Sequence, residues 1–298
     1  MDPQWQGENM RSKRISRAFR PPPHGRKAFT LIELLVVIAI VALLMAILLP
    51  TLGRVRKQAR AVACQANLRQ WGMIWATYTT ENDGHLPGWG RDPQAEANDD
   101  SWLEGWGSWP NRPGRAESSM MDIRCCPMAT KQADPTGQGA PWGGTFLAWG
   151  GGPSARSSEP VYASYGLNGW MTWWNWHDYE TARRRGWSTT DVKEAASVPV
   201  LLDSCWPWTA VCDATSPPPE SDGIPTRPGL GFFEPFCINR HDGCINALFL
   251  DWSVRKVGLK ELWTLKWHRE YDTAGPWTKA GGVTADQWPK WMQRFKDY

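Results

Sequence analysis

Sixteen consecutive apolar residues, from Leu34 to Leu49, constrain this chain more than any other feature. Counted from Phe29, the stretch that ends before Pro50 is 21 residues long. As an α-helix it measures about 31 Å at ~1.5 Å per residue, enough to cross a hydrocarbon core. The flank before it is basic: Arg11, Lys13, Arg14, Arg17, Arg20, Arg26 and Lys27. By the positive-inside rule that flank stays in the cytoplasm and the remainder is exported. No small-x-small cleavage site follows the run, which continues as Pro50-Thr51-Leu52-Gly53-Arg54 into a basic stretch. That argues against a secretory signal removed after the run. No cysteine stands near its end, which argues against a lipoprotein signal. Glu33 sits inside the start of the apolar segment. A carboxylate there is costly unless it has a partner, so it reads as functional.

Charge excludes one class of partner. The 33 Lys and Arg outnumber the 30 Asp and Glu, for a net charge of +3. Seven of the cations but only two of the acids lie in residues 1–28, so the rest of the chain holds 26 against 28 and is slightly acidic. A nucleic-acid binder would carry its positive excess on the folded body, so nucleic acid is not an expected partner. The 22 Trp against 8 Phe and 6 Tyr, with 28 Gly and 24 Pro, predict a body rich in loops and aromatics.

The helical pattern continues beyond Pro50. Cys64, Leu68, Trp71, Trp75 and Tyr78 recur at spacings of four and three, and Val55, Ala59, Val62 and Ala66 form a second stripe. Both fit one amphipathic helix, with Arg54, Arg56, Lys57, Arg60 and Arg69 on its other faces. Turn residues and a proline over 81–87 end it, after roughly fifty residues in all. Strands are expected near Met121–Arg124 and over Val161–Leu167, Val198–Asp203, Asn246–Leu250 and Ser253–Val257. The last two read as a hairpin through Asp251-Trp252, and a further helix is expected over Leu259–His268.

Arg26-Lys27-Ala28-Phe29-Thr30-Leu31-Ile32-Glu33-Leu34-Leu35-Val36-Val37 closely resembles the class III signal of type IV pilins and type II secretion pseudopilins. The resemblance implies that a prepilin peptidase cuts between Ala28 and Phe29 and that the new amino group of Phe29 is methylated. Glycine usually precedes the cut; Ala28 at least keeps a small side chain. Pro50 is the 22nd residue from Phe29, where the family often has a helix-bending proline. Glu33 of one subunit is implied to pair with the Phe29 amine of the next and set register, two costly charges neutralising each other. The implied fold is α+β and pilin-like: a long membrane-spanning helix continuing as an amphipathic spine packed on a loop-rich antiparallel β head. The implied divisions are a cleaved cytoplasmic leader over 1–28, a transmembrane helix over 29–50, an amphipathic helix over 51–82 and a Trp-rich exported head over 83–298. Implied partners are the prepilin peptidase/methyltransferase, other pilin-like subunits, secretion-machine assembly proteins and the membrane. The chain would sit in the inner membrane with its head in the periplasm.

The C-terminal part resembles pseudopilin-like proteins of planctomycete-type bacteria, which carry a His-x9-Asp-Gly signature preceded by Ser-Tyr-Gly-x-Asn and Cys-Pro segments. His241 and Asp251 have that spacing, and Ser164-Tyr165-Gly166-Leu167-Asn168 and Cys126-Pro127 are present; position 252 is Trp rather than Gly. Seven cysteines stand at 64, 125, 126, 205, 212, 237 and 244. In an exported body Cys205 with Cys212 and Cys237 with Cys244 are candidate disulfides, and buried thiols are the alternative. No Cys-x2-Cys exists, so no zinc ribbon is indicated and no metal ligand is assigned. Asp213, Asp222, Asp242 and Asp251 offer hard oxygens for Ca²⁺, without calcium-loop spacing; no cofactor is otherwise expected. Common catalytic signatures are absent, and His241 with Asp203, Asp251 and Ser204 forms a triad only on paper. Two Trp clusters, 102/106/109 and 170/173/174/176, either fill the core or stack on a glycan. The reading is a structural pilin-like subunit and not an enzyme, the alternative being a carbohydrate-binding or adhesive module exported by the pilin route.

Overall fold

The computed structural model describes residues 30–86, 123–130, 142–150, 162–171, 179–223 and 233–298. The chain is α+β, and its contacts divide it into two compact units, up to Thr51 and from Leu52 onward. Helix α1, Leu31–Glu81, is 51 residues long and holds Pro50 inside it. Its N-terminus is a capping box. Thr30 N–H and Oγ1 both donate to Glu33 Oε2, each at 2.9 Å, and Glu33 N–H donates back to Thr30 Oγ1 at 3.2 Å. This reciprocal arrangement satisfies donors that a helix start otherwise leaves orphaned. The apolar stretch meets the length and hydropathy of a membrane span, and none of it is buried. At the other end Asp83 and Gly84 turn left-handed, and Gly84 N–H closes on the Thr79 carbonyl.

In the second unit, α1 buries Ala61, Cys64, Leu68, Trp71, Gly72, Trp75 and Thr79. The first sequence stripe therefore faces the core, although Tyr78 is only half buried and Thr79 takes its place. The second stripe does not: Val55, Ala59, Val62 and Ala66 are all exposed. Gly72 is where the helix comes closest to the sheet, since a Cβ there would lie 2.9 Å from Leu248 Cδ1.

Two short strands, β1 (Trp149–Gly150) and β2 (Tyr162–Ala163), form an antiparallel pair. The main sheet holds β3 (Tyr165–Asn168), β4 (Pro199–Asp203), β5 (Trp208–Thr209), β6 (Cys244–Phe249) and β7 (Val254–Gly258). Its order is β5-β3-β4-β6-β7, antiparallel throughout except for the β3–β5 edge. All five positions of β4 are buried, as expected for a central strand covered on both sides. A seven-residue helix, α2 (Tyr179–Arg185), precedes β4.

Several expected elements are redrawn. The strand expected near 121–124 lies partly outside the described residues, and Ile123 and Arg124 are in a turn. The strand expected over Val161–Leu167 begins outside them and then breaks at Ser164, whose backbone is used by other segments. The helix expected over Leu259–His268 is a short 3₁₀ turn, Lys260–Thr264. The β6–β7 hairpin exists, but its loop has three residues. Trp252 N–H donates to the Phe249 carbonyl and Phe249 N–H to the Ser253 carbonyl, both at 2.9 Å. This is the turn in which the third loop residue is left-handed, usually a glycine. Here it is Trp252, at φ 65°. Its ring packs on the core, which offsets the backbone cost of about 1–2 kcal/mol.

Tryptophan fills this core. Trp71, Trp75, Trp149, Trp170, Trp187, Trp263, Trp267 and Trp288 are all buried. Several of their indole N–H groups also close on backbone carbonyls: Trp71 donates to Ile123, Trp149 to Tyr165 on β3, Trp170 to Val211, Trp187 to Trp267 and Trp263 to Ser216, whereas that of Trp288 is buried without a hydrogen-bond partner among the described residues. Irregular backbone leaves carbonyls without ladder partners, and an indole supplies apolar area and one donor together. Of the two clusters singled out above, Trp170 is core; 102, 106, 109, 173, 174 and 176 lie outside the described residues. Beside Trp170, His268 accepts from Glu270 N–H at Nδ1 (3.2 Å) and meets the Cys212 carbonyl at Nε2 (3.1 Å). This pattern suits the neutral ring, and burial drives its pKa down to about 4.

Two predictions follow from this packing, both read by denaturant unfolding of the full chain in detergent with Trp fluorescence. Leu68→Ala, at a fully buried site, costs about 2–5 kcal/mol, whereas Val62→Ala on the exposed stripe costs under about 0.5 kcal/mol. His268 has a folded pKa below its unfolded value of 6.5, so its contribution is present above pH 6.5 and lost as pH falls through about 4. Stability therefore drops across that window by as much as about 3 kcal/mol, and His268→Gln flattens it.

Candidate functional site

Between α1 and the main sheet lies a cluster of buried polar side chains. Register places it: Tyr165 on β3 stands opposite Asp203, the last residue of β4. Asn246 on β6 completes the row by donating its N–H to Asp203 Oδ2 at 2.8 Å. The helix is keyed over this row by Gln65 Nε2, 3.0 Å from Asn246 Oδ1, and by Asn246 Nδ2, 3.4 Å from the Ala61 carbonyl. That seats Cys64, one residue before Gln65, above Asp203, with Sγ 3.6 Å from both carboxylate oxygens. Asn67 and Trp71 hold the 123–130 loop against the helix through the carbonyls of Cys125 and Ile123. Ser164 Oγ accepts from Cys126 N–H at 2.6 Å and fixes that residue beneath.

Arg240 is the cation of the cluster. Its Nε donates to the Thr145 carbonyl, Nη1 to Ser164 and to Asp203 Oδ1, and Nη2 to Gly144 and Ser204, at 2.6–3.1 Å. All five guanidinium donors are thereby used, the condition under which a buried Arg is tolerable. The next residue, His241, lies in a turn closed by left-handed Asp242 and Gly243, with Gly243 N–H donating to Asn239 Oδ1. Its Nε2 is 3.1 Å from Asp203 Oδ2 and 3.4 Å from Cys126 Sγ.

These neighbours set the charge states. Burial pushes the Asp203 carboxyl up, but His241, Arg240 and the Asn246 N–H outweigh it and hold it at about 2. Burial pushes His241 down, and Asp203 and Cys126 bring it up to about 9. Burial likewise opposes the Cys126 thiolate, yet bonds to Cys64 and His241 and the charge of Arg240 lower it to about 7. Cys64 goes the other way, raised by burial.

The residues singled out by sequence fare unequally. His241 is central, but its signature partner Asp251 is exposed in the hairpin loop at the far end of β6, accepting from Ser253 N–H and Oγ. Six strand residues at ~3.3 Å each put roughly 20 Å between the two ends. The paper triad is also redrawn: Asp203 does meet His241, but Ser204 Oγ is turned to the carbonyls of Trp206 and Pro235. The side chain that does approach His241 Nε2 beside Asp203 is the thiol of Cys126. Cys205, Cys212, Cys237 and Cys244 form no disulfide. Cys212 Sγ faces the Ala210 carbonyl and Cys237 Sγ faces Met292 Sδ, while burial pushes Cys205 up to about 12 and Cys212 to about 11. Thiols so protonated are poor in exchange. The four aspartates considered for Ca²⁺ sit in separate turns, Asp213 on Thr215 N–H, Asp222 on Thr145 Oγ1 and Asn239 N–H, Asp251 on Ser253, and Asp242 exposed. Ala28 and Phe29 lie outside the described residues. Sequence reading missed Cys64, Arg240 and Cys126 as companions of His241, and no spacing rule joins them.

Residues 23–49 match the prokaryotic N-terminal methylation motif. No curated protein and no solved structure matches the chain. The motif supports a type IV pilin-like protein; it ends at residue 49, so the C-terminal likeness to His-x9-Asp-Gly proteins is carried by no comparison.

The buried ion pair yields a prediction. Arg240→Ala strands Asp203 and costs about 3–5 kcal/mol of unfolding free energy. Arg240→Lys recovers only part, because one ammonium cannot reach the four carbonyls that the guanidinium fork serves.

Proposed function

We propose that this chain is a pilin-like structural subunit, a pseudopilin, which assembles through its N-terminal helix into a type II secretion-like or type IV pilus-like filament. The carrying observation is the methylation motif at residues 23–49, laid over the start of a helix whose apolar segment is covered by none of the described residues. Cleavage between Ala28 and Phe29 by the prepilin peptidase would place a free amine one residue before the capping box. Thr30 occupies Oε2 of Glu33, and the other oxygen serves the amine of a neighbouring subunit. The leader stays cytoplasmic, the helix spans the inner membrane and the head lies outside it.

Beyond the apolar segment the exposed stripe gains a purpose. Leu52, Val55, Ala59, Val62, Ala66 and Met73 are all exposed and follow heptad-like spacing. Val62 and Met73 retain 61% and 63% of their surface. A seam of this kind suits sister helices lying side by side, knobs into holes. Sister subunits and the assembly proteins of the machine are thus the partners, and no catalytic step is assigned to the chain.

Amino-terminal sequencing and mass measurement of the mature protein should find it starting at methylated Phe29; a start at Met1 would refute the reading. Glu33→Gln keeps an acceptor for the cap but removes the charge. It should insert normally yet lose at least about tenfold in filament incorporation, equivalent to ~1.4 kcal/mol. Full incorporation of Glu33→Gln would show that capping alone is the role of this side chain.

A further inference from the structure

Four side chains from four separate segments converge in the core. Cys64 comes from α1, Cys126 from the 123–130 loop, Asp203 from the end of β4 and His241 from the turn before β6. Two sulfurs, a ring nitrogen and a carboxylate oxygen lie within 4.8 Å of one another, and all four residues are buried. We propose that they form a four-coordinate site for a divalent cation of the zinc class, which ties the helix to the sheet and to both loops. This inference is independent of any role in filament assembly.

The distances fit the edges of a coordination tetrahedron. Bonds of about 2.3 Å to sulfur and about 2.0–2.1 Å to nitrogen and oxygen imply edges of about 3.6 Å for S–N, 3.3 Å for N–O and 3.5 Å for S–O. The corresponding separations are 3.4 Å for Cys126–His241, 3.1 Å for His241–Asp203 and 3.6 Å for Cys64–Asp203. Direction matters more than distance. In a nucleophile–base–acid relay the two ring nitrogens face different partners. Here Cys126 and Asp203 both face Nε2, so one nitrogen looks into a shared centre.

Charge and surroundings agree. Two thiolates, a carboxylate and a neutral imidazole around a dication sum to −1, and the buried guanidinium of Arg240, 3.1 Å from Asp203 Oδ1, brings the site to zero. Two thiolates and an imidazole select zinc-like ions over Ca²⁺ or Mg²⁺. Outer donors are in place for both sulfurs: Tyr165 O–H at 3.3 Å from Cys64 Sγ and Met128 N–H at 3.5 Å from Cys126 Sγ. Asn246 N–H and Arg240 orient the carboxylate. Such outer contacts fix ligand geometry and tune affinity. Binding displaces the thiol protons and the Nε2 proton of His241, all of which pass to the buffer.

The test uses the full chain, purified in detergent under reduction and without chelator. Elemental analysis should find one zinc per chain. After chelation, Co²⁺ should restore one equivalent with thiolate-to-cobalt charge transfer and the intense visible bands of tetrahedral cobalt. Cys64→Ser and Cys126→Ser should lose the charge-transfer intensity stepwise, while Cys125→Ser and Cys205→Ser retain it. Tyr165→Phe should keep the bands but weaken binding by about 10–100-fold. Should the ligand variants fail to fold, the parent chain decides alone: its melting temperature should fall on chelation and return with one equivalent of zinc. A reduced, folded parent chain that takes up no cobalt overturns the proposal. So does cobalt retained by the Cys64→Ser/Cys126→Ser double variant, or a Cys64–Cys126 disulfide as the isolated state.

Discussion

The head is organised around one ion pair with both side chains fully buried, Arg240 with Asp203. A guanidinium without solvent must find an anion and five acceptors, and few backbone arrangements offer both. Arg240 finds them by drawing the 144–145 loop, the Ser164 break between β2 and β3, and the end of β4 into one place. A pair of this kind is weak evidence for stability, because desolvation consumes most of the attraction. Its consequence is geometric. With Asp203 Oδ1 committed to Arg240, Oδ2 is aimed at His241 and Asn246, and the thiols of Cys64 and Cys126 are brought against the same group.

The abundance of tryptophan answers a second constraint. Few of the described residues of the head lie in long strands, so many of their carbonyls have no ladder partner. Buried unpaired carbonyls would be costly. Indole rings provide apolar volume and a single outward donor, and here they repeatedly close on the carbonyls of loops and turns. Tyrosine does the same only with a rotatable hydroxyl, and phenylalanine not at all.

Helix α1 meets two environments with two faces. One face is specific, keyed to the sheet by Gly72, Gln65 and Cys64. The other, the Leu52-to-Met73 stripe, is apolar and covered by none of the described residues, and the membrane-length segment is by itself exposed on every side. Periodicity showed that both stripes existed and not which one the head would cover. Both are apolar at helical spacing, and the choice depends on which side carries the groups that match β6.

Local chemistry was legible from residue order alone: the apolar span, the basic flank, the helix end near Glu81, strands β4, β6 and β7 and the hairpin between the last two. Each is decided by neighbours within a few positions, through hydrogen bonds and burial that repeat with a short period. The capping box was present as Thr30 and Glu33, although the carboxylate was read only for its charge. The long-range cluster was not legible. Its members at 64, 126, 203 and 241 share no spacing, and only register at Tyr165 and Asp203, with the seating of the helix on Asn246, makes them neighbours. The two ends of the His-x9-Asp pattern, His241 and Asp251, lie apart because nine residues along a strand and its turn separate two side chains rather than join them. The anchor is thus written in the order of residues, because lipid selects for composition and length. The interior of the head was decided only by folding, because a buried charge is satisfied by whichever distant groups the sheet brings to it.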